Sequence, residues 1–589
     1  MNKIFKKAAS SIAAALMLCT VVTGSIPKAV NTTAAPDEYH DDWLHVNENA
    51  EVVDMYGNPV WMTGCNWFGY NVTTQCFDGV WSRNMHEMLN EMADHGFNLL
   101  RVPMSTQILL QWKNRDPDPY MVKINEWKNP ELTVEGVEGG TPKYSFDIWN
   151  MAVEWCRENG IKIMMDIHCA TTASNGHQIP LWYDSNYSTD DWLEALSWFA
   201  EYYKDDDTVI AIDLKNEPHG KNDGQGMAIW DDSTAENNWK YAAERGAAAC
   251  LEQNPNLLIM VEGIEVYPKF ENGKDWNSPA VDYAHYDDPN AQAFHGAWWG
   301  GNFRGVRDYP VDLGEHQDQL VYSPHDYGPL VWEQEWFKKD FTTQTLLDDY
   351  WYDTWAFLIE EKISPLLMGE WGGFYDDEHD PTGDNRKWMK LLRDYMIEKR
   401  IHHTFWCFNE NSGDTGGLLC NDFQDWDVAK YEFVKEALWQ TEDGKFIGLD
   451  HKIPLGQSGN GITLSEYYNN TPGGDVTTKP TTAPTEPPVT TQPPTEAPTA
   501  EPTSPPTEKP TNAPAGDIVY GDANCDSVIT MADAAAIYQS LGNADKYGLS
   551  EKGAANADCY DPGSGITAND ALSVQKFAAK LIDKLPETK

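Results

Sequence analysis

The stretch Thr208-Val209-Ile210-Ala211-Ile212-Asp213-Leu214-Lys215-Asn216-Glu217-Pro218-His219-Gly220 decides how this chain folds. Its first five residues form a β-branched, apolar run that reads as a buried strand. Asn216 and Glu217 stand at the C-terminal end of that run, and Pro218 stops the ladder by removing a donor. In barrels of parallel strands that end is the catalytic face. A carboxylic acid there with an amide beside it suits sugar chemistry, since the acid can protonate a glycosidic oxygen while the amide holds a ring hydroxyl. On these residues alone the alternative is a strand-ending turn in which Asn216 and Glu217 cap a helix.

Seven further apolar runs surround this one: Val60 to Cys65, Phe97 to Val102, Ile161 to Ile167, Leu257 to Val261, Leu320 to Ser323, Pro365 to Met368 and His403 to Phe408. Helical patterns lie between them at Ser82 to His95, Phe146 to Asn159, Asp190 to Tyr203, Thr343 to Glu361 and Asn385 to Lys399. Ser233 with Glu236 offers a capping box before a helix through Tyr241 and Ala249. Eight strands, each followed by a crossover or long loop, predict an α/β protein with a (β/α)8 TIM barrel; an open doubly wound sheet needs no eightfold count. The strand ends carry Arg101, Asp166 with His168, Asn216 with Glu217, His325 with Tyr327, Glu370, and Trp406. In a closed barrel these residues converge on one cup.

At 589 residues the chain is long enough for two or more units. A formal charge of -49 and a pI near 4.5 argue against nucleic acid or an anionic membrane as partner. The N-terminus places Lys3, Lys6 and Lys7 before an apolar run from Ile12 to Val22, the pattern of a secretory leader, assigned to residues 1–35. No second apolar stretch approaches the length of a membrane span. Beyond Cys19, the cysteines are scattered without a C-x-x-C pair, so a zinc ribbon is not indicated. Cys65 and Cys76 are the closest candidates for a disulfide.

Asn66-Trp67-Phe68-Gly69, Arg101-Val102-Pro103, Leu181-Trp182-Tyr183, Asp213 to His219, Trp298-Trp299-Gly300-Gly301-Asn302, His325-Asp326-Tyr327, Gly369-Glu370-Trp371-Gly372 and Phe405-Trp406 with Ser412 to Gly417 occur in this order. Together they closely resemble glycoside hydrolase family 5, and within it the bacterial endoglucanase branch. The resemblance spans nearly all of residues 42–440 and implies that Glu217 is the acid/base and Glu370 the nucleophile. It also implies that Arg101, His168, Asn216, His325, Tyr327 and Trp406 surround the sugar that is attacked. Trp67, Trp298, Trp299 and Trp371, aromatic members of the same motifs, are further candidates to contact substrate. Phe408 stands where Trp is expected in the most similar sequences.

The resemblance implies a retaining mechanism that uses no metal or other cofactor, with Glu217 raised in pKa by a negative Glu370 nearby. Glu262 and the pair Asn409-Glu410 also follow strands, but read as caps or solvated loop residues. His168 and His325 have no third His or Cys at ligand spacing.

Residues 36–470 are assigned to the barrel. Residues 471–515 collapse to Thr and Pro with scattered Glu, a composition that predicts a disordered linker. In residues 516–589, Ile529 to Ala534 recurs as Ile566 to Ala571. Asp522, Asn524, Asp526 and Asp533 have the spacing of a calcium loop, where oxygens two residues apart on a turning loop point inward together. A second loop runs from Asp558 through Asp561 to Asp570 and is one residue longer. This duplicated loop-helix resembles a dockerin, a small all-α module, which implies calcium as its cofactor and the cohesin of a scaffold protein as its partner. Ile529, Ile537, Ile566, Val574 and Phe577 form its expected core.

The whole reads as a secreted, scaffold-borne endo-β-1,4-glucanase with a monomeric catalytic domain, acting on cellulose. The alternatives are a hydrolase of mannan, xyloglucan or mixed-linkage glucan, or a non-catalytic carbohydrate-binding barrel.

Overall fold

The computed structural model describes residues 42–468 except 117–122, 135–139 and 286–290, and residues 518–586 except 526–527, 543–547, 561, 564, 579–581 and 583. They belong to two compact units divided between Pro480 and Thr481. The expected leader and linker, with Asp526 and Asp561, lie outside the described residues.

In the first unit eight strands pair in parallel: β1 (Thr63–Asn66), β2 (Leu99–Ser105), β3 (Lys162–Cys169), β4 (Val209–Asp213), β5 (Leu258–Val261), β6 (Leu320–Tyr322), β7 (Leu367–Met368) and β8 (His402–Phe405). Their order is β6-β5-β4-β3-β2-β1-β8-β7. The edges β6 and β7 approach through parallel bridges at Tyr322 with Leu366 and His325 with Glu370, so the sheet is a nearly closed barrel. Each expected strand overlaps an observed one.

Helices α1 (Met85–Asp94), α2 (Thr106–Asn114), α3 (Ser145–Glu158), α4 (Thr189–Tyr202) and α5 (Trp239–Leu251) follow in chain order. Polar caps start most of them: Asn84 accepts from Glu87 N–H, and Ser188 forms a capping box with Asp191. The Ser233 and Glu236 box expected before α5 is not the cap. Asn238, immediately ahead of the helix, accepts from Tyr241 N–H instead, and its amide also ties down the Asp231–Ser233 turn.

The stretch expected as one helix from Thr343 is three: α6 (Thr343–Leu346), a π-helical segment Leu347–Ala356, and α7 (Phe357–Glu360). Within it Tyr350 Oη and Trp355 Nε1 donate to Asp326 at 2.9 and 3.1 Å, which anchors the residue between His325 and Tyr327. Helices α8 (Asp384–Lys399) and α9 (Val428–Lys435) complete the wall.

Strand alternation sorts the core into two layers. Leu100, Val102, Ile163, Met165 and Ile212 face the helices, where they meet Met88, Leu89, Trp149 and Leu392. Leu99, Met164, Ala211, Met260, Val321 and Leu367 fill the barrel floor with Trp61. Each such large side chain contributes about 1.5–3 kcal/mol by leaving water. Below the floor, Lys162 Nζ lies 2.8 Å from Asp42 and 3.2 Å from Asp450, while His451 meets Asp42 and Asp54 at 2.5 and 3.1 Å.

All nine described cysteines are free thiols, so Cys65 and Cys76, the closest candidates for a disulfide, are not paired. Both side chains are wholly buried in the core, and burial pushes the Cys76 thiol up to about 12. Among the described residues no helix is long and apolar enough to cross a membrane.

The second unit contains α10 (Met531–Gly542), α11 (Glu551–Ala557) and α12 (Ala568–Ala578). Ala534, Ile537, Ala571 and Val574 are buried together, with Ile529 and Ile566 packed against them. Phe577 is half-buried, outside that cluster. The repeat survives in three dimensions: Asp533 accepts from Thr530 N–H at 2.9 Å, and Asp570 accepts from Thr567 N–H at 2.7 Å.

Candidate active site

The alternation that builds the floor also builds the site. Two residues beyond Leu99, Met164, Ala211 and Met260 stand Arg101, Asp166, Asp213 and Glu262, all wholly buried. Arg101 is their centre. Its Nη1 donates to Glu370 Oε1 and Asn66 Oδ1, both at 2.9 Å, and its Nη2 donates to Asp213 Oδ2 at 2.9 Å and Asn216 Oδ1 at 3.1 Å. A buried guanidinium needs such partners. Burial disfavours its charge, yet the carboxylates of Asp166, Asp213, Glu370 and Glu262 overcome this and lift its pKa. Burial pushes Asp166 up to about 7, against the pull of Arg101.

Glu370 follows β7 with both oxygens hydrogen-bonded, Oε1 by Arg101 and Oε2 by the Tyr327 hydroxyl at 2.6 Å. Burial and the adjacent Glu370 keep the Tyr327 phenol protonated far above its usual range.

Glu217 follows β4 with φ at +49°, in the left-handed region. Its Oε1 lies 3.0 Å from His325 Nδ1. One oxygen of Glu217, one of Glu370 and a His325 nitrogen all lie within 4.8 Å of one another. The expectation that Glu217 is raised in pKa is not met. Burial does push it up, but the hydrogen bond and charge of His325 outweigh burial and lower it. His325 in turn is raised well above its usual value, because Glu262, Glu370 and Glu217 overcome the effect of its burial.

These groups open into a cleft of about 780 Å³, whose lining includes His168, Asn216, Glu217, Trp298, Trp299, Tyr327, Glu370 and Trp406. His168 Nδ1 is 2.7 Å from Asp166 Oδ2. The Trp406 ring is near-parallel to Phe68 and to His168, with centroids 5.6 and 5.7 Å away. Trp299 stacks on His219 at 3.7 Å. Arg101 and His325 are buried behind the lining and contact Glu370 and Glu217 respectively.

Trp67 and Trp371 do not join this wall. Both are wholly buried; Trp67 stacks on Phe77 and donates to the Asp78 carbonyl, and Trp371 donates to His403. Their rings pack the core beneath the strand ends instead of touching substrate. Glu262 also departs from its expected role, being wholly buried in the charged cluster instead of solvated. Asn409 and Glu410 do serve loops, accepting from Phe68 and Phe423 N–H groups. Sequence reasoning passed over Phe68, His219 and Trp332, the last 68% exposed on the cleft wall. Phe68 and His219 lie inside the quoted motifs; Trp332 lies in a loop with no pattern to mark it.

Two groups among the described residues have cation-holding spacing, Glu217 with His325 and Glu370, and Asp213 with Glu262 and His325. Arg101 already provides positive charge against Asp213, Glu262 and Glu370.

Residues 53–412 match the family described as Cellulase (glycosyl hydrolase family 5). Endoglucanase G of Acetivibrio thermocellus is 50% identical over 496 residues, covering 81% of this chain and 85% of that protein. Endoglucanase B of the same organism is 42% identical over 492 residues, covering 79% and 84%. A solved complex of an endocellulase variant from Pyrococcus horikoshii with cellotetraose is 30% identical with a TM-score of 0.56, covering 68% of this chain and 100% of that one.

Proposed function

The chain belongs to glycosyl hydrolase family 5, and from that premise we propose that it is a secreted, retaining endo-β-1,4-glucanase that cuts internal bonds of cellulose. One observation carries the stereochemistry: carboxylate oxygens of Glu217 and Glu370 come within 4.8 Å of each other. Retaining glycosidases hold their carboxyl groups about 5–5.5 Å apart, whereas inverting ones leave about 6.5–9.5 Å for a water.

In the first step Glu370, ionised and oriented by Arg101 and Tyr327, forms a bond from a carboxylate oxygen to the anomeric carbon. The glycosidic C–O bond breaks, and its oxygen takes a proton from Glu217. The lowered pKa of Glu217 does not remove that proton from the site. Imidazolium beside carboxylate and imidazole beside carboxylic acid hold the same number of protons, so the Glu217–His325 pair has one to deliver whichever atom carries it. In the second step Glu217 accepts a proton from water, which displaces Glu370. Asn216 would hold the 2-hydroxyl. The cellotetraose complex and the endoglucanase relatives support a β-1,4-glucan over mannan or xyloglucan. Two opposed carboxylates argue against a binding-only barrel, because a lectin has no use for them.

The second unit we read as a dockerin that holds calcium and binds a cohesin. The fit of its described residues supports this reading. Asp558 Oδ1 is buried and accepts no hydrogen bond from the described residues, an arrangement that suits a cation ligand. Asp522, Asn524, Asp533, Asp558 and Asp570 would supply the described ligands, and calcium would stabilise a unit with little apolar core.

The reading is tested by viscosity loss and reducing-sugar release on carboxymethyl cellulose, comparing wild type with Glu370→Gln. Rapid viscosity loss that falls by several orders of magnitude in the variant is the expected result. Equal activity of the two proteins would refute Glu370 as nucleophile, and an inert wild type would refute the substrate.

A further inference from the structure

Glu262 has no part in the mechanism above, yet it touches every group that handles the proton. Its Oε2 accepts the backbone N–H of Glu217 at 2.7 Å. Its Oε1 lies 3.3 Å from Arg101 Nη2 and 3.2 Å from His325 Nε2. Its own carbonyl accepts Trp239 Nε1–H at 2.8 Å, which ties the residue to α5.

Two features single out the contact with Glu217 N–H. The first is the left-handed backbone of Glu217, a conformation that a residue with a side chain keeps only where its surroundings hold it. The second is Gly300, with φ at +71°, where a Cβ would come within 2.2 Å of Glu262 Oε2 and 3.4 Å of Glu217 Cα. Only glycine lets the Trp298–Asn302 loop close over this hydrogen bond.

We propose that Glu262 is a positioning residue for the acid/base step, fixing the main chain of Glu217 and, through His325, the proton that Glu217 delivers. The proposal rests on the reading of Glu217 as acid/base. The contacts form a closed circuit: Glu262 stands at ion-pair distance from His325 Nε2, which makes no hydrogen bond among the described residues, His325 Nδ1 hydrogen-bonds the Glu217 carboxyl, and Glu217 N–H donates back to Glu262. One carboxylate therefore sets both the orientation of the acid and the proton affinity of its partner.

The charges facing this circuit are Arg101 from β2, Asp166 and His168 from β3, Asp213 and Lys215 from β4 and its loop, and Glu370 with Tyr327 opposite. His177 faces Glu217 from the loop after β3. All of these stay in place when Glu262 alone is changed. Burial lifts the Glu262 carboxyl well above its usual range, against the pull of His325 and Arg101; over the pH range where it is ionised, removing its negative charge makes the last proton of the Glu217–His325 pair easier to lose.

The test compares wild type, Glu217→Gln, Glu262→Gln and Glu262→Asp on cellotetraose and on 2,4-dinitrophenyl β-cellobioside, whose leaving group needs no proton. For Glu262→Gln the expected result is a loss of about 10- to 100-fold in kcat/KM on cellotetraose, a smaller loss in kcat/KM on the dinitrophenyl substrate, and an alkaline limb of kcat/KM moved about one pH unit lower. Glu262→Asp keeps the charge but retracts from Glu217 N–H, so its alkaline limb should return toward wild type while kcat/KM on cellotetraose stays low. A folded Glu262→Gln that slows both substrates alike with unmoved limbs would overturn the proposal, as would a Glu262→Asp with wild-type kcat/KM. If Glu262→Gln does not fold, the Asp variant decides alone: equal slowing of both substrates, or wild-type activity on cellotetraose, would overturn the proposal. An equal loss of kcat/KM, which reports the first step alone, for Glu217→Gln on both substrates would instead sink the acid/base reading, and the proposal with it.

Discussion

Tyr327 holds Glu370 by its Oε2, the phenol donating across 2.6 Å, while Arg101 occupies the other oxygen. The phenol is a neutral donor to a charged acceptor, so Tyr327→Phe removes one charge-assisted hydrogen bond and leaves the ring in place. The expected outcome is a fall of about 10- to 100-fold in kcat on cellotetraose with little change in KM. Unchanged kcat would mean that Arg101 alone orients the nucleophile.

Arg101→Lys keeps a positive charge but gives up the planar fork that reaches Asn66, Asp213, Asn216 and Glu370 at once. Breaking a buried ion pair of this kind costs about 3–5 kcal/mol. Thermal unfolding should occur several degrees lower, and activity should fall together with stability. A variant that melts like wild type would show that the carboxylates, not the guanidinium, set the cluster.

Below the barrel floor, burial disfavours the charge of His451, but hydrogen bonds to Asp42 and Asp54 win and raise its pKa from 6.5 to about 9. A raised histidine contributes stability that is complete below its unfolded pKa and is lost as pH rises through the folded one. The barrel's melting temperature should therefore decline by a few degrees between about pH 6.5 and pH 9. Calorimetry of His451→Gln should show that decline flattened, and an identical slope in both proteins would remove His451 as its source.

If the C-terminal repeat holds calcium, a chelator should release it while the barrel stays folded. Limited proteolysis of the full chain is expected to cut within residues 518–586 after chelation, with hydrolysis of soluble substrate unchanged and protection restored by added calcium. Protection that ignores the chelator would argue that the acidic loops are ordinary helix starts.

Much of this was readable from the sequence because barrel strands leave a strong mark. Runs such as Ile161 to Ile167 are apolar on both faces, and the polar residue that ends each run lies where the strands converge. What the sequence hid depends on long-range approach. Glu262 looks like any acid after a strand until β4 and β6 bring Glu217 and His325 against it. Trp67 and Trp371 share motifs with cleft residues, yet neighbouring positions on one strand face opposite ways. The lowered pKa of Glu217 is likewise set by His325, 108 residues away in sequence. Asn238 displaced Ser233 as the cap of α5 for a local reason: it stands next to the first helical turn.

The floor contacts also bear on how the chain could be rewired. Asp42 and His451 are separated by 409 positions, yet the main-chain N–H of His451 donates to Asp42 Oδ1 at 3.0 Å. Segments near the barrel's beginning and end thus meet, on the side away from the cup where Lys162 opens β3. A short bridge across that junction would make the barrel a covalent ring. New ends could then be opened in an outer loop far from Glu217 and Glu370, and a circularly permuted enzyme should keep its catalytic mouth intact.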